Sequence, residues 1–177
     1  DRSFVSTYYE RLKRYHAWWR RNRDGNGDGL FEWGSNPVEP AHPQWQTHTH
    51  WAARYETGMD NNPMWDGVPF NPETNTLEQN DIGLNALLAL DALCLARMAE
   101  VLGRDGDAQR YRAMAEEHGH RLEATLWNDG AGLWMSRDWD GTWNTTANPI
   151  CFYPLFLPTA TPERARDLRA STWHPPT

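Results

Sequence analysis

Residues 24–32 of this chain carry oxygen-bearing side chains at a spacing that could bind a metal. Their sequence is DGNGDGLFE, with Asp or Asn at the first, third and fifth positions and Gly at the sixth. Calcium loops of the EF-hand type begin in this way, and a carbonyl at position seven helps to complete the ligand set. Position 12 is Ser35 instead of the bidentate glutamate of an EF-hand. The pattern therefore predicts a related calcium loop, or alternatively a turn closed by its own polar side chains.

We expect this loop to bind one structural calcium and no organic cofactor. The predicted ligands are the side chains of Asp24, Asn26, Asp28 and Glu32 and the backbone carbonyl of Leu30.

A second acidic stretch, residues 55–66, has carboxylates at positions 56, 60 and 66 beside Tyr55 and Trp65. A carboxyl group packed against aromatic rings is partly desolvated, which raises its pKa and lets it hold a proton near neutral pH. That is the property of a general acid. The chain also has eleven tryptophans in 177 residues, and Trp faces are common platforms for sugar rings, although for any one of them a place in the core is the favoured interpretation.

The elements that must position these loops are predicted to be helical. Apolar residues recur every three or four positions over residues 3–22, 81–102 and 107–127. The helix over 81–102 is apolar on nearly every face, so we expect it to be buried on all sides, Cys94 included. Further helices are predicted over 44–54, 145–156 and 161–170, and a long loop over 58–80. Such inner and outer helical hairpins are typical of α/α barrels and solenoids.

Composition excludes several classes of function. The net charge of −7 argues against a nucleic-acid partner, which needs a basic surface. We find no apolar run near the ~20 residues of a membrane helix and no apolar leader at the first residues, so we expect a cytoplasmic protein unless a leader precedes this sequence. A closed barrel needs about six hairpins, and this chain has room for about half of them. Residues 1–177 are therefore expected to form one partial domain.

Three blocks of this sequence resemble family 63 glycoside hydrolases, the group of α-glucosidases and of mannosylglycerate and glucosylglycerate hydrolases. Residues 56–63, ETGMDNNP, are similar to the family's ESGMDNSP motif. Residues 27–34, GDGLFEWG, resemble its GDGLPEYG loop, and residues 81–99 resemble the helix that follows. The resemblance covers residues 8–160, and its departures at positions 31, 33, 57 and 62 remove no carboxylate.

The resemblance implies an all-α fold that is part of an (α/α)6 barrel, and hydrolysis of an α-glycosidic bond with inversion. It places the general acid on Asp60 and the general base on a glutamate in the later half of the barrel. Inversion needs two carboxyl groups roughly 6.5–9.5 Å apart, and no glutamate of this chain suits the second role. We therefore expect the chain to carry half of the catalytic pair and to be inactive alone.

The same resemblance suggests a site for a small carbohydrate, an α-glucoside or an α-mannoside. We expect Tyr55, Trp33 and Trp65 to line the sugar subsite, and the calcium loop to fix the position of Trp33. Glu56 is expected to bind sugar hydroxyls or to orient the acid. Asp81 is a candidate substrate contact, although it also stands where a helix N-cap is expected.

Two other functions remain open at this point. A non-catalytic α/α carbohydrate-binding or scaffold protein would keep the tryptophans without needing a second carboxylate. A trehalase-like hydrolase would share the acid motif, but trehalases usually have Trp where this chain has Met59.

Overall fold

The computed structural model describes residues 1–36 and 49–170, and its described part is mostly helical. Its α-helices are α1 (Arg2–Asn22), α2 (His50–Glu56), α3 (Ile82–Leu102), α4 (Asp105–Leu126) and α5 (Pro162–Ala170). Two 3₁₀ helices cover Pro63–Trp65 and Pro149–Phe156. The predicted all-α class is confirmed.

Short antiparallel ribbons of two-residue strands join the helices. The pairs are β1 (Phe70–Asn71) with β2 (Thr76–Leu77), β3 (Gln79–Asn80) with β6 (Arg137–Asp138), and β4 (Trp127–Asn128) with β5 (Leu133–Trp134). The β3–β6 pair joins the chain before α3 to the chain after α4. It therefore gathers the loops around the N-terminus of α3.

Helix α3 is the centre of the fold. It packs against α4, α1 and the 3₁₀ helix Pro149–Phe156, and it ends at Gly103, whose φ of 74° suits the left-handed C-terminal position. By length and composition it could cross a membrane, so our expectation that no apolar run reaches that length is wrong. Most of the helix is buried inside the protein in this structure.

The expectation that α3 is buried on all sides is also wrong. Leu87, Cys94 and Val101, seven residues apart, form an exposed stripe along it. The reason is geometric, because the three elements that pack on α3 leave this stripe uncovered in the described part of the chain.

Helix α1 packs through a different face from its most apolar one. Phe4, Tyr8 and Tyr15 are exposed, whereas Tyr9 and His16 are buried. The Tyr9 hydroxyl donates to Asp107 at 2.9 Å, and His16 Nδ1 lies 2.7 Å from a carboxylate oxygen of Asp91. Hydrogen bonds from the polar atoms of these buried rings therefore fix α1 against α3 and α4.

Other predicted elements differ at their boundaries or in their type. The helix predicted over 145–156 is the 3₁₀ helix Pro149–Phe156, in which Pro154 cannot donate an α-helical hydrogen bond. The helix predicted over 44–54 overlaps α2, which begins at His50, and residues 44–48 lie outside the described residues. The helices predicted over 107–127 and 161–170 are present as α4 and α5.

Candidate active site and calcium loop

The acid loop, residues 56–66, leaves the end of α2 and turns back beneath it. The Thr57 hydroxyl donates to the Arg54 carbonyl at 2.7 Å and accepts from the Met59 amide at 2.8 Å. Gly58 has a φ of 67°, a backbone conformation that residues with a side chain rarely adopt. The Asn62 side chain then caps the 3₁₀ helix by accepting from the Met64 amide. Local hydrogen bonds therefore fix the loop on both sides of Asp60.

Glu56 is tied to Arg23 at the end of α1. Arg23, which is 1% exposed, donates from Nε to Oε2 at 2.7 Å and from Nη2 to Oε1 at 2.5 Å. The Gly34 amide donates to Oε2 at 2.8 Å. Bidentate charge-assisted pairs of this kind are among the stronger polar contacts in proteins. Because both carboxylate oxygens are engaged, orientation of the loop is the predicted role of Glu56 that this geometry supports.

Arg54 is the second buried arginine at this site, and 6% of it is exposed. Its Nε donates to the Asp60 carbonyl at 2.8 Å and its Nη2 to the Asn62 carbonyl at 3.4 Å. Its Nη1 pairs with the Asp66 carboxylate at 3.0 Å. The Arg54 guanidinium also lies over the ring of Trp51, 4.6 Å from the centroid.

Asp60 differs from the other two acids of the loop. Its side chain is half-buried, and no residue in the described ranges donates a hydrogen bond to its carboxylate. Glu56 and Asp66 each face an arginine, whereas Arg54 reaches only the backbone of Asp60. Within the described part of the chain, Asp60 is therefore the acid of this loop that remains available to a ligand.

The predicted aromatic subsite is only partly present. Tyr55 is 51% exposed, but the ring of Trp65 is fully buried and its indole N–H donates to the Met59 carbonyl at 3.1 Å. Trp65 therefore has no free face for a sugar in this structure and stabilises the loop instead. Trp33 is half-buried, edge-to-face against Trp19 with centroids 5.6 Å apart.

Trp51 is a further candidate for the aromatic subsite that the sequence did not lead us to predict. Trp51 is 51% exposed and lies one helical turn before Tyr55 on α2. A spacing of four residues along a helix places two side chains on one face, and this signal was available in the sequence.

Asp81 proves to be the N-cap of α3. Its carboxylate is fully buried and accepts from the Leu84 amide at 2.7 Å and from the Ser136 hydroxyl at 3.1 Å. Burial raises the pKa of this carboxyl, and the hydrogen bond from Leu84 opposes that effect. Since no part of Asp81 is exposed, the predicted substrate contact is wrong in this structure.

Residues 24–32, called the calcium loop after the ion predicted from the sequence, draw three carboxylates together. Asp24, Asp28 and Glu32 each have an oxygen within 4.8 Å of the others. The Asp28 carboxylate also accepts from the side-chain amides of Asn26 at 3.0 Å and Asn80 at 2.8 Å. Converging oxygens of this type are the ligands that Ca²⁺ prefers.

The backbone of the calcium loop folds inward around the same carboxylates. The Leu30 amide donates to Asp28 at 2.8 Å, and the Gly29 amide donates to Asp24 at 3.2 Å. The guanidinium of Arg121 on α4 donates to the Asp28 carbonyl. The five residues predicted as ligands therefore lie in one turn, although these hydrogen bonds also suit a turn closed by its own side chains.

Glu32 is the buried member of the cluster, with no exposed surface. It accepts from the Gly25 amide at 2.8 Å and from the Trp139 indole at 3.3 Å. Burial raises the pKa of Glu32 to about 8, and the nearby charges of Asp28 and Asp24 add to the effect. A cation at this position would offset that electrostatic cost.

Comparison with known proteins identifies the family. Residues 1–176 match the family described as "Mannosylglycerate hydrolase MGH1-like glycoside hydrolase domain". The chain belongs to this family. Its helical hairpins are accordingly part of the α/α barrel found in glycoside hydrolases of family 63.

Solved structures similar to this family member support the same fold. A family 63 mannosylglycerate hydrolase from Thermus thermophilus, in complex with glucose, has a TM-score of 0.68 and 23% identity. The same enzyme with Tris and D-glycerate has a TM-score of 0.67 and 21% identity. Each comparison covers 96% of this chain, but only 44% and 48% of the solved chains.

A sequence relative outside that group is a periplasmic trehalase from Citrobacter koseri. It is 30% identical over 142 residues, which are 78% of this chain and 24% of the trehalase. This MGH1-like chain thus spans about a quarter of the trehalase and less than half of the solved mannosylglycerate hydrolase chains.

Proposed function

We propose that this chain supplies the general acid, Asp60, of an inverting α-glycosidase. The observation that carries the proposal is the contrast within the acid loop. Glu56 and Asp66 are paired with arginines, whereas Asp60 is half-buried and its carboxylate has no partner among the described residues. A general acid needs a carboxyl group that can meet the leaving-group oxygen directly.

The proposed mechanism divides the reaction between two carboxyl groups. Asp60 protonates the glycosidic oxygen as the bond breaks. A carboxylate elsewhere in the complete domain activates a water on the opposite face of the sugar, which inverts the anomeric centre. We expect Tyr55 and Trp51, which are both exposed on α2, to contact the sugar.

The proposed substrate is a small α-glucoside or α-mannoside. Family membership and the glucose and D-glycerate complexes of the T. thermophilus enzyme support this class. The similarity to a trehalase supports trehalose as the second candidate. Turnover of mannosylglycerate, glucosylglycerate and trehalose by the intact protein would separate these substrates, and binding without turnover of any would favour a carbohydrate-binding role.

The test of the acid compares two substitutions in the same loop. Asp60→Asn is nearly isosteric but has no proton to transfer, so we expect turnover to fall by roughly 10²–10⁴-fold. Asp66→Asn is the matched control, because Asp66 is exposed and the amide oxygen of asparagine can still accept from Arg54, so turnover should stay near normal. If Asp60→Asn is as active as Asp66→Asn, Asp60 is not the acid.

Inversion at the anomeric centre can be tested separately. Proton NMR of the first product formed from an α-glycoside should show the β-anomer, before mutarotation mixes the two forms. An α-anomer as first product would exclude inversion and with it the proposed division of roles.

We also propose that residues 24–32 bind one structural calcium through Asp24, Asn26, Asp28, the Leu30 carbonyl and Glu32. The support is the convergence of three carboxylates within 4.8 Å. Calorimetric titration with CaCl₂ should show one site, which Asp24→Asn weakens and Asp140→Asn, in an exposed turn, leaves unchanged. Absence of calcium uptake would leave the self-closed turn as the correct interpretation.

A further inference from the structure

We propose that Arg54 is the positioning residue for Asp60, an inference that rests on the acid role proposed above. The Arg54 side chain is buried beside the acid loop, and it reaches Asp60 through the backbone rather than through the carboxylate. It therefore sets where the carboxyl group lies without neutralising its charge.

The contacts of Arg54 span the loop on both sides of the acid. Its three nitrogens donate to the carbonyls of Asp60 and Asn62 and to the Asp66 carboxylate, at 2.8, 3.4 and 3.0 Å. One rigid group thus fixes three points of the chain within seven residues. A guanidinium is suited to this task because its donors form a planar fork, whereas a lysine offers a single centre.

The side chain and the backbone of Arg54 are each held in place by a neighbouring residue. The ring of Trp51 lies 4.6 Å from it, so the planar group is supported from one side. The Arg54 backbone carbonyl accepts from the Thr57 hydroxyl at 2.7 Å, which ties the start of the loop to the same residue. Trp51 and Arg54 therefore form one unit that carries the loop from α2.

Two backbone carbonyls of the acid loop, at Met59 and Asp60, accept hydrogen bonds from buried side chains. The Met59 carbonyl accepts from the Trp65 indole at 3.1 Å, and the next carbonyl, that of Asp60, accepts from Arg54. Two consecutive peptide planes are thus oriented by buried donors. A displacement of about 1 Å at a reacting group can cost about 100-fold in rate, so loss of one donor should lower kcat.

The experiment is a double-mutant cycle in the intact protein, with an exposed arginine as control. Arg54→Lys should lower kcat on the preferred α-glycoside by about 10- to 100-fold with little change in KM. In an Asp60→Asn background the same change should cost less than about twofold, because a misplaced acid no longer matters. Arg97→Met, at an exposed position on α3, should leave kcat unchanged.

Outcomes of the cycle separate this inference from the proposed acid. If Arg54→Lys matches Arg97→Met while Asp60→Asn is impaired, the positioning role is wrong and the acid stands. Equal losses from Arg54→Lys in both backgrounds would also overturn the positioning role. If Asp60→Asn itself is fully active, the proposed function fails first.

A second variant keeps the test decisive if Arg54→Lys does not fold. Trp51→Leu removes a half-exposed ring beneath the guanidinium, so the fold should survive. We expect it to lower kcat by about threefold or more, and only when Asp60 is present. An unchanged kcat in folded Trp51→Leu, or a loss that persists in Asp60→Asn, would overturn the inference.

Discussion

In the calcium loop the fold brings three carboxylates within 4.8 Å of one another, whereas in the acid loop it gives each carboxylate separate surroundings. The first arrangement concentrates negative charge and buries one member, Glu32. The second uses two buried arginines, Arg23 and Arg54, to hold two acids and the backbone of the third. Clustered acids suit a cation, whereas an isolated acid between fixed neighbours suits proton transfer.

The largest effect should come from the pH dependence of the calcium loop in metal-free protein. With a pKa of about 8 in the folded protein, against 4.5 for an ordinary glutamate, Glu32 takes up a proton on folding between pH 4.5 and 8. Its contribution to stability is fully present below pH 4.5 and is lost as pH rises through 8. We expect the free energy of unfolding to fall by about 4–5 kcal/mol across this window.

Urea unfolding in EGTA measures this effect, with Glu32→Gln as the matched variant because glutamine does not titrate. The free energy of unfolding of the wild type should fall steadily relative to that of Glu32→Gln between pH 5 and 8. Saturating calcium should abolish this fall, since the ion favours the ionised carboxylate. If the free energies of unfolding of the two proteins follow parallel pH profiles in EGTA, Glu32 does not have a raised pKa in the folded protein.

The next effect concerns the ion pair that carries the acid loop. Arg23→Met leaves the Glu56 carboxylate without its buried partner, so we expect a loss of about 3 kcal/mol in the free energy of unfolding. Adding Glu56→Gln should recover part of the loss, because the uncompensated charge is removed. A loss below that of Arg97→Met would contradict the structural role assigned to Glu56.

The smallest effect is expected at the exposed end of the acid loop. Asp66 is 64% exposed, and its pair with Arg54 is open to solvent on the carboxylate side. Asp66→Asn should therefore change the free energy of unfolding by at most about 1 kcal/mol. Thermal melts of this variant at low and high salt would measure it, and a loss as large as that of Arg23→Met would remove the distinction between the two pairs.

The sequence was sufficient for elements whose signals are local. The apolar period of α3 and the N-capping type of Asp81 predict that helix correctly, and the alternating oxygens of the calcium loop predict a turn in which the three carboxylates converge. These patterns depend on residues within a few positions of each other. The structures that they predict therefore form largely independently of distant parts of the chain.

The sequence was insufficient wherever a distant partner decides the outcome. Arg23, at the end of α1, pairs with Glu56, 33 residues away, and nothing in the sequence around either residue indicates that pair. Trp65 and Trp51 are chemically equal candidates for a sugar platform, but packing buries the first and leaves the second half-exposed. Burial and ion pairing between distant segments have no local pattern that would have revealed them.

Asp60 is the residue on which the proposed mechanism depends, and the effect of the leaving group on turnover tests its role as the acid. The measurement compares wild type with Asp60→Asn on the preferred α-glycoside and on the α-fluoride of the same sugar, which needs little protonation. We predict a loss of roughly 10²–10⁴-fold on the glycoside and a clearly smaller loss on the fluoride. Near-normal turnover of the glycoside, or equal losses on both substrates, would contradict the assignment of Asp60 as the general acid.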